Sequence, residues 1–309
     1  MISSSSPNAP IALFAYKRPA HLLRTLEALQ CDPLFASSAV HIYCDGPRYG
    51  DDVEAITETR EIARRFATPL TRLVFRDRNH GLRDSIVKGV TELTSAHDRV
   101  IVIEDDLIVG DQFLTFMNAA LDRYSNNDAV YQVSGHMFPV TVPSGPTPLL
   151  LPFTTTWGWA TWKRAWRHFD PLAVGYQQLL DDSLLRKQFD LGGSYPYFRM
   201  LQKQQAGEVD SWGILWYLSV FLRQGLTVFP RQSLVANEGF DGSGTNCSTS
   251  SGETSQDIGW PTMQCQDMPA EAIVDHEAFD LIRRHLAQSS SIRSRILRRT
   301  SGYLARIRL

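Results

Sequence analysis

RVIVIEDDL, Arg99–Leu107, is the stretch that decides how the chain reads. Val100 to Ile103 form an unbroken β-branched run of the length of a buried strand. The run passes directly into three acids, Glu104, Asp105 and Asp106. Three adjoining carboxylates at the end of a buried strand repel one another and lose hydration. A hard divalent cation with oxygen ligands at roughly 2.0–2.2 Å offsets that cost. A solvated acidic turn that caps the next helix is the other reading of the same residues.

Outward from this point the chain alternates apolar runs with helical periodicity, the pattern of an α/β sheet built from βαβ units. Upstream, Pro10–Tyr16, Ala39–Asp45 and Thr71–Phe75 read as strands. Between them lie helices carrying Leu22, Leu23, Leu26 and Leu29, then Val53, Ile56 and Ile62, then Leu82, Ile86, Val87, Val90 and Leu93. Downstream, Asp111 is placed to cap a helix with Phe113, Phe116, Met117 and Leu121 on its apolar face, and Ala129–Ser134 reads as a fifth strand. Past about Pro139 the alternation gives way to loops, a tryptophan cluster, an apolar helix over Trp212–Leu222 and a short strand over Leu226–Pro230. The expected organisation is a short disordered N-terminus (1–9) and one α/β domain over 10–275, with halves 10–138 and 139–275. A basic amphipathic tail over 276–309 follows.

The 309 residues are 43% apolar and 21% charged, with ordinary Gly and Pro usage, which suits a packed core and excludes collagen-like or broadly disordered classes. No run approaches the ~18 apolar residues of a membrane span. MISSSSPNAP (Met1–Pro10) has neither the basic start nor the apolar middle of a secretory signal, so the expected location is the cytoplasm. Cys31, Cys44, Cys247 and Cys265 are widely spaced, as reduced structural thiols are. Net charge is −2, yet residues 281–309 hold eight arginines and no acid, which leaves about −10 on the rest. An acidic body with no recognition motif argues against nucleic acid as a partner. The tail, with Ile292, Ile296, Leu297, Leu304 and Ile307 between arginines, suits an anionic membrane surface, a protein partner or solvent.

Charged or glycine-bearing turns follow each of the first four strands: Lys17-Arg18-Pro19, Asp45-Gly46-Pro47-Arg48, Asn79-His80-Gly81-Leu82-Arg83 and Glu104-Asp105-Asp106. All should converge on one cleft. Six segments in order, YKRPAHLLRTLEAL (Tyr16–Leu29), HIYCDGPR (His41–Arg48), NHGLRDSIVKGVTEL (Asn79–Leu93), RVIVIEDDLIVGDQFL (Arg99–Leu114), TTTWGWATWKRAW (Thr154–Trp166) and NEGFDGSGTN (Asn237–Asn246), resemble bacterial glycosyltransferases of the N-acetylglucosaminyltransferase I-like and family 2 type. The resemblance covers about three quarters of the chain. It implies a GT-A (nucleotide-diphospho-sugar transferase) fold, Rossmann-like, with a mostly parallel sheet flanked by helices.

It also implies roles. Asp106 binds Mn²⁺ or Mg²⁺, which bridges the diphosphate of a nucleotide-sugar donor. Asp105 lies by the ribose or donor sugar, and Glu104 supports the turn. Arg18 holds the nucleotide side, Asp45 pairs with the base or ribose, and His80 and Arg83 sit by the base and phosphates. An arginine fork suits phosphate oxygens, and a carboxylate suits a sugar hydroxyl. Arg18 also suits a plain helix start, and Asp45 an Asx turn without ligand.

Transfer with inversion needs one carboxylate to take the acceptor's proton. Asp210 in EVDSWGILW (Glu208–Trp216) is the choice, since the resembling enzymes place their base in an Asp-x-Trp setting. Glu208 is the fallback, and a helix N-cap is the competing role for Asp210. Trp162 and Trp166, one helical turn apart, read as core, while Trp157 is placed to stack on a sugar. Trp212, Asn237 and Asp241 complete the expected acceptor or sugar contacts. The Asn237–Asn246 loop would close over the donor. Related sequences often end this motif in histidine where this chain has Asn246, so direct metal ligation from the loop is not expected.

The expected activity is thus inverting, metal-dependent sugar transfer of the hexosyl or related kind. The acceptor would be a hydroxyl of a glycan or lipid-linked glycan, in lipopolysaccharide, capsule or exopolysaccharide assembly at the inner face of the plasma membrane. Two rivals stand beside it: a sugar nucleotidyltransferase, whose first turn normally carries the glycines that Tyr16-Lys17-Arg18-Pro19 lacks, and a silent sugar- or metal-binding module.

Overall fold

The computed structural model describes residues 7–143, 148–241, 268–269 and 271–290. Its first half is the expected alternation: β1 (Ile11–Ala15), α1 (Pro19–Gln30), β2 (Val40–Cys44), α2 (Val53–Arg65), β3 (Thr71–Phe75), α3 (Leu82–His97) and β4 (Arg99–Glu104). Then come β5 (Leu107–Val109), α4 (Phe113–Arg123), β6 (Val130–Ser134), β7 (Leu149–Leu151) and β8 (Trp159–Trp162). Five helices follow, α5 (Lys163–Trp166), α6 (Tyr176–Asp181), α7 (Ser183–Phe189), α8 (Tyr197–Gln205) and α9 (Trp212–Phe221), before β9 (Leu226–Phe229), β10 (Val235–Asn237) and α10 (His276–Ser290).

Among the described residues, eight strands form one sheet in the order β3-β2-β1-β4-β8-β6-β9-β7. β3, β2, β1 and β4 are mutually parallel. β8 is antiparallel to both β4 and β6, β9 is parallel to β6, and β7 runs against β9. The sheet is therefore mostly parallel and flanked by helices, as the sequence pattern predicts. The chain fills positions from β1 outward through β2 to β3 and then returns to the other side of β1 with β4. That reversal is a topological switch point, where the two following turns diverge and leave a crevice.

β1 and β4 are apolar and buried along nearly their full length because helices cover the sheet. A second cluster, with Phe153, Leu179, Phe189, Ile214, Leu218 and Phe229, organises the later half. Ala278, Ile282 and Leu286, spaced four apart on α10, are buried in that second cluster. The stretch read as a tail from 276 thus begins with a helix docked on the body. Residues 291–309, with the proposed membrane-facing apolar positions, lie outside the described residues.

One expected cap differs. Asp111 does not cap α4; Gln112 holds that position without a side-chain bond. The buried Asp32 carboxylate instead reaches across to accept the Leu114 N–H at 2.8 Å and also takes the Leu34 N–H at 2.9 Å. A long-range carboxylate meets the helix's orphan donor, which local sequence spacing does not reveal.

Gly89 on α3 lets the helix lie against the Phe14–Tyr43 stack, whose ring centroids are 5.0 Å apart. A Cβ there would stand 2.7 Å from Phe14 Cζ. Gly89→Ala should therefore cost about 1–3 kcal/mol by overpacking, despite alanine's better helix propensity. Urea denaturation checks this, and an unchanged or raised midpoint would contradict the packing described.

Candidate functional site

A cleft opens at the carboxyl ends of β1, β2 and β4. It is lined by Tyr16 and Arg18 after β1, Asp45 and Arg48 after β2, Asn79, Gly81, Leu82 and Ser85 at the start of α3, Glu104, Asp105 and Asp106 after β4, and Asp210 from the second half. Four turns that are far apart in sequence meet because their strands are parallel and adjacent.

The acidic turn is held from several sides. Asp105 Oδ2 accepts the Tyr16 N–H at 2.9 Å, and its backbone carbonyl accepts the Thr25 hydroxyl of α1 at 2.8 Å. Arg18 Nη1 stands 3.3 Å from Asp105 Oδ1 and 2.8 Å from Asp106 Oδ2. On the far side, β5 and β10 pair antiparallel, and the Glu238 N–H donates to the Asp106 carbonyl at 2.9 Å. The next residue, Gly239, lies so close that a Cβ would collide with the Asp106 carboxylate.

Negative charge here exceeds what the nearby cation offsets. Burial, followed by the charges of Asp106 and Asp105, pushes Glu104 up to about 8. Burial and Asp106 push Asp105 up to about 7, although Arg18 works in the opposite direction. Among the described residues no group of three or more Asp, Glu, His or Cys side chains forms a metal cage. The donor set nevertheless fits a hard divalent cation held by one or two carboxylates, with its remaining positions open to phosphate oxygens.

Asp45 is nearly buried, and its oxygens are committed to backbone: Gly46 N–H at 2.9 Å, His80 N–H at 2.9 and 3.1 Å, and Gly81 N–H at 2.9 Å. It shapes the 79–81 turn, the Asx-like role that the sequence also allowed. His80 takes part through its backbone, and its ring is not among the groups lining the cleft. Arg83 turns toward the second half, donating to Asp210 Oδ1 and to the Pro171 carbonyl, each at 3.3 Å. Asp210 does not cap α9, where Ser211 takes that position; its side chain is 64% exposed in the cleft. Glu208 is exposed and outside the cleft lining.

The tryptophans separate by burial. Trp212, expected at a sugar contact, is instead a core residue, 4% exposed and stacked on Trp159 at 5.2 Å. The apolar length of α9 leaves it no solvent face, so its first ring packs inward. Trp162 and Trp166 are core, as expected, but they do not share a helix: Trp162 ends β8 and Trp166 ends α5, so the spacing of one helical turn is not what buries them. Trp157 is half-buried, edge-on to His136 at 4.6 Å and to Phe240 at 5.6 Å. Through Phe240 it adjoins the loop that touches Asp106. Asn237 is buried and accepts the Gly239 N–H at 2.7 Å, shaping that loop. The Asp241 side chain, Thr245 and Asn246 lie outside the described residues.

Several cleft residues carried no role in the sequence reading. Tyr16 donates its hydroxyl to Asp51, with the Arg48 guanidinium 5.8 Å over its ring, and Arg48 Nε bonds Asn79 Oδ1 at 2.8 Å. Tyr16, Arg48 and Asn79 lie inside the quoted motifs, whose order was the available signal, while Asp51 lies between two of them. His136, just past β6, was not singled out; burial holds its imidazole down at about 3, so it stays neutral beneath Trp157.

No family model matches the sequence, and no curated protein matches it. Solved structures do. GalNAc-T7 with UDP, GalNAc and Mn²⁺ is 10% identical, covering 76% of this chain and 44% of that one, with a TM-score of 0.49. The mannosyltransferase PcManGT from Pyrobaculum calidifontis with GDP-Man and Mn²⁺ is 13% identical over 42% of this chain and 36% of that one, with a TM-score of 0.31. Glucosyl-3-phosphoglycerate synthase from Mycobacterium tuberculosis with Mn²⁺, UDP and glucosyl-3-phosphoglycerate is 16% identical over 42% and 43%, with a TM-score of 0.30. The chain spans less than half the length of each.

Asp45→Asn places an amide donor against backbone N–H groups and removes charge-assisted bonds. It should lower stability by about 1.5–3 kcal/mol and loosen the 79–81 turn. Chemical denaturation with amide exchange at His80 and Gly81 checks this; a loss below ~0.5 kcal/mol with protection unchanged would count against it.

Proposed function

We propose that the chain is a metal-dependent glycosyltransferase of GT-A fold that moves a sugar from a nucleoside-diphosphate sugar to a hydroxyl, with inversion. The observation that carries this is the meeting of Glu104-Asp105-Asp106, Arg18 and Asp210 in one cleft at the switch point between β1 and β4. The ordered motifs of the sequence support the same reading.

Asp106 would hold Mn²⁺ or Mg²⁺, assisted by the charge of its neighbours. When bound, the cation supplies positive charge to the leaving diphosphate. Arg18 offers its guanidinium to the same phosphates. The 79–81 turn, fixed by Asp45, and the Tyr16–Arg48–Asn79 group border the space left for the nucleoside. Asp210 takes the proton from the acceptor hydroxyl as the new C–O bond forms and the sugar–phosphate bond breaks. Arg83 orients the Asp210 carboxylate. Trp157, beside Phe240, offers a face to the apolar side of a sugar. Bacterial surface-glycan assembly, with a glycan or lipid-linked acceptor, is the setting that the sequence resemblance favours. A peripheral place on the inner membrane face through the basic tail belongs to the same proposal.

A sugar nucleotidyltransferase is disfavoured by the first turn. It has no glycine, and its Tyr16 N–H is committed to Asp105.

Asp210→Asn should retain nucleotide-sugar affinity within about threefold and lose transfer to water or acceptor by roughly 10²–10⁴-fold. Donor turnover across UDP-, GDP-, CMP- and dTDP-sugars, paired with calorimetric binding, measures both. Near-wild-type turnover in the variant would remove Asp210 from this role, and pyrophosphate release from a nucleoside triphosphate would contradict sugar transfer.

A further inference from the structure

Arg18 sits where a cation is wanted. Its Nη1 lies 2.8 Å from Asp106 Oδ2 and 3.3 Å from Asp105 Oδ1, so one guanidinium nitrogen bridges two neighbouring carboxylates. The same Asp106 oxygen is the one crowded by Gly239 on its other side. Approach to that oxygen is therefore limited by a backbone that cannot move without disturbing the β5–β10 pair, and by a long side chain that can.

The backbone under Arg18 is fixed. Lys17 before it has φ 36°, in the left-handed region, and Pro19 after it occupies the first turn of α1. Arg18 is the N-cap residue: its carbonyl accepts the Leu22 N–H at 3.0 Å, but its side chain makes no cap bond to α1, so the guanidinium can leave the carboxylates without breaking a helix bond. Arginine cannot shed its charge to make way, so exchange at Asp106 requires the guanidinium to find another anion. A diphosphate entering the cleft is such an anion.

We propose that Arg18 is a positioning residue that exchanges anions: it neutralises Asp105 and Asp106 in the empty cleft and transfers to the donor diphosphate as the divalent cation takes Asp106. This rests on the glycosyltransferase reading and adds an order to it. The cation alone competes with Arg18 and binds weakly. Nucleoside diphosphate draws Arg18 away, and each ligand strengthens the other by the same factor, as linkage requires. No covalent step is involved.

Mn²⁺ titrations followed by electron paramagnetic resonance of the free ion, with and without UDP or GDP, test this on wild type, Arg18→Gln and Arg18→Lys. Arg18→Gln should bind Mn²⁺ alone at least about tenfold more tightly than wild type. Corrected for Mn²⁺ held by the nucleotide in solution, nucleoside diphosphate should tighten Mn²⁺ binding about tenfold or more in wild type and by an at least threefold smaller factor in Arg18→Gln, where only direct contact between cation and diphosphate remains. Arg18→Lys, a point charge that spans the two carboxylates poorly, should fall between them and keeps the test decisive if the glutamine variant does not fold. Equal or weaker Mn²⁺ binding by both variants, with the wild-type nucleotide effect intact, would overturn the exchange and leave the transferase reading standing. Mn²⁺ binding to no form under any condition would overturn both.

Discussion

Three carboxylates end a buried strand, and the rest of the molecule is arranged around the cost of placing them there. Such a cluster is expensive out of water unless it is hydrogen-bonded and paired. Here the Tyr16 N–H and Arg18 serve the Asp105 carboxylate, Thr25 holds its carbonyl, and Arg18 also pairs with Asp106. All three partners lie within β1's outgoing turn and α1, which is why β1 must be the immediate neighbour of β4. The strand order supplies that adjacency, and the reversal between β1 and β4 keeps the crevice open above it. Burial first, and then the neighbouring carboxylate charges, raise Glu104 and Asp105 above the ordinary carboxylate range despite Arg18, so the turn still favours added positive charge. This residual demand is the physical argument for a cation.

The second half of the chain closes the same cleft. Its tryptophans, Trp159, Trp166, Trp212 and Trp216, pack as one aromatic group with centroid separations of 5.1–6.3 Å. Gln132 joins this group, accepting from Trp216 Nε1 and donating to the Thr155 carbonyl, each at 2.6 Å. That packing anchors the start of α9 and so sets where Asp210, two residues earlier, stands. The cleft is therefore walled mainly by the turns of the parallel strands, and its lining residue from the second half, Asp210, is placed by an aromatic core behind it.

Much of this was legible in the sequence, because the signals were local. β-branched runs marked the strands, leucine spacing marked α1 and α3, and the parallel topology put every strand-end turn on one edge. Asp106 and Arg18 were readable as partners of one cleft for that reason. Other features depend on distances that no local pattern encodes. The cap on α4 comes from Asp32, eighty-two residues away in sequence. Trp212 looked like a ligand contact by its place in a motif, but only the burial of α9 on every side shows it to be core. Asp45 has a residue type that suits a ribose, while its surroundings commit it to backbone N–H groups. Gly239 appeared only as one glycine in a rich loop, and its closeness to Asp106 is a tertiary fact.

On the proposed function, Asp106 would anchor a cation on which nucleoside-diphosphate binding depends. Calorimetric titration of UDP, GDP and dTDP into the full chain, with Mn²⁺ and after chelation, in wild type and Asp106→Ala, tests it most directly. One of the three should bind wild type with Mn²⁺ and weaken about tenfold or more, roughly 1.4 kcal/mol, on chelation or in the variant. Binding that is indifferent to both chelation and the loss of Asp106, or no binding by any of the three, would contradict it.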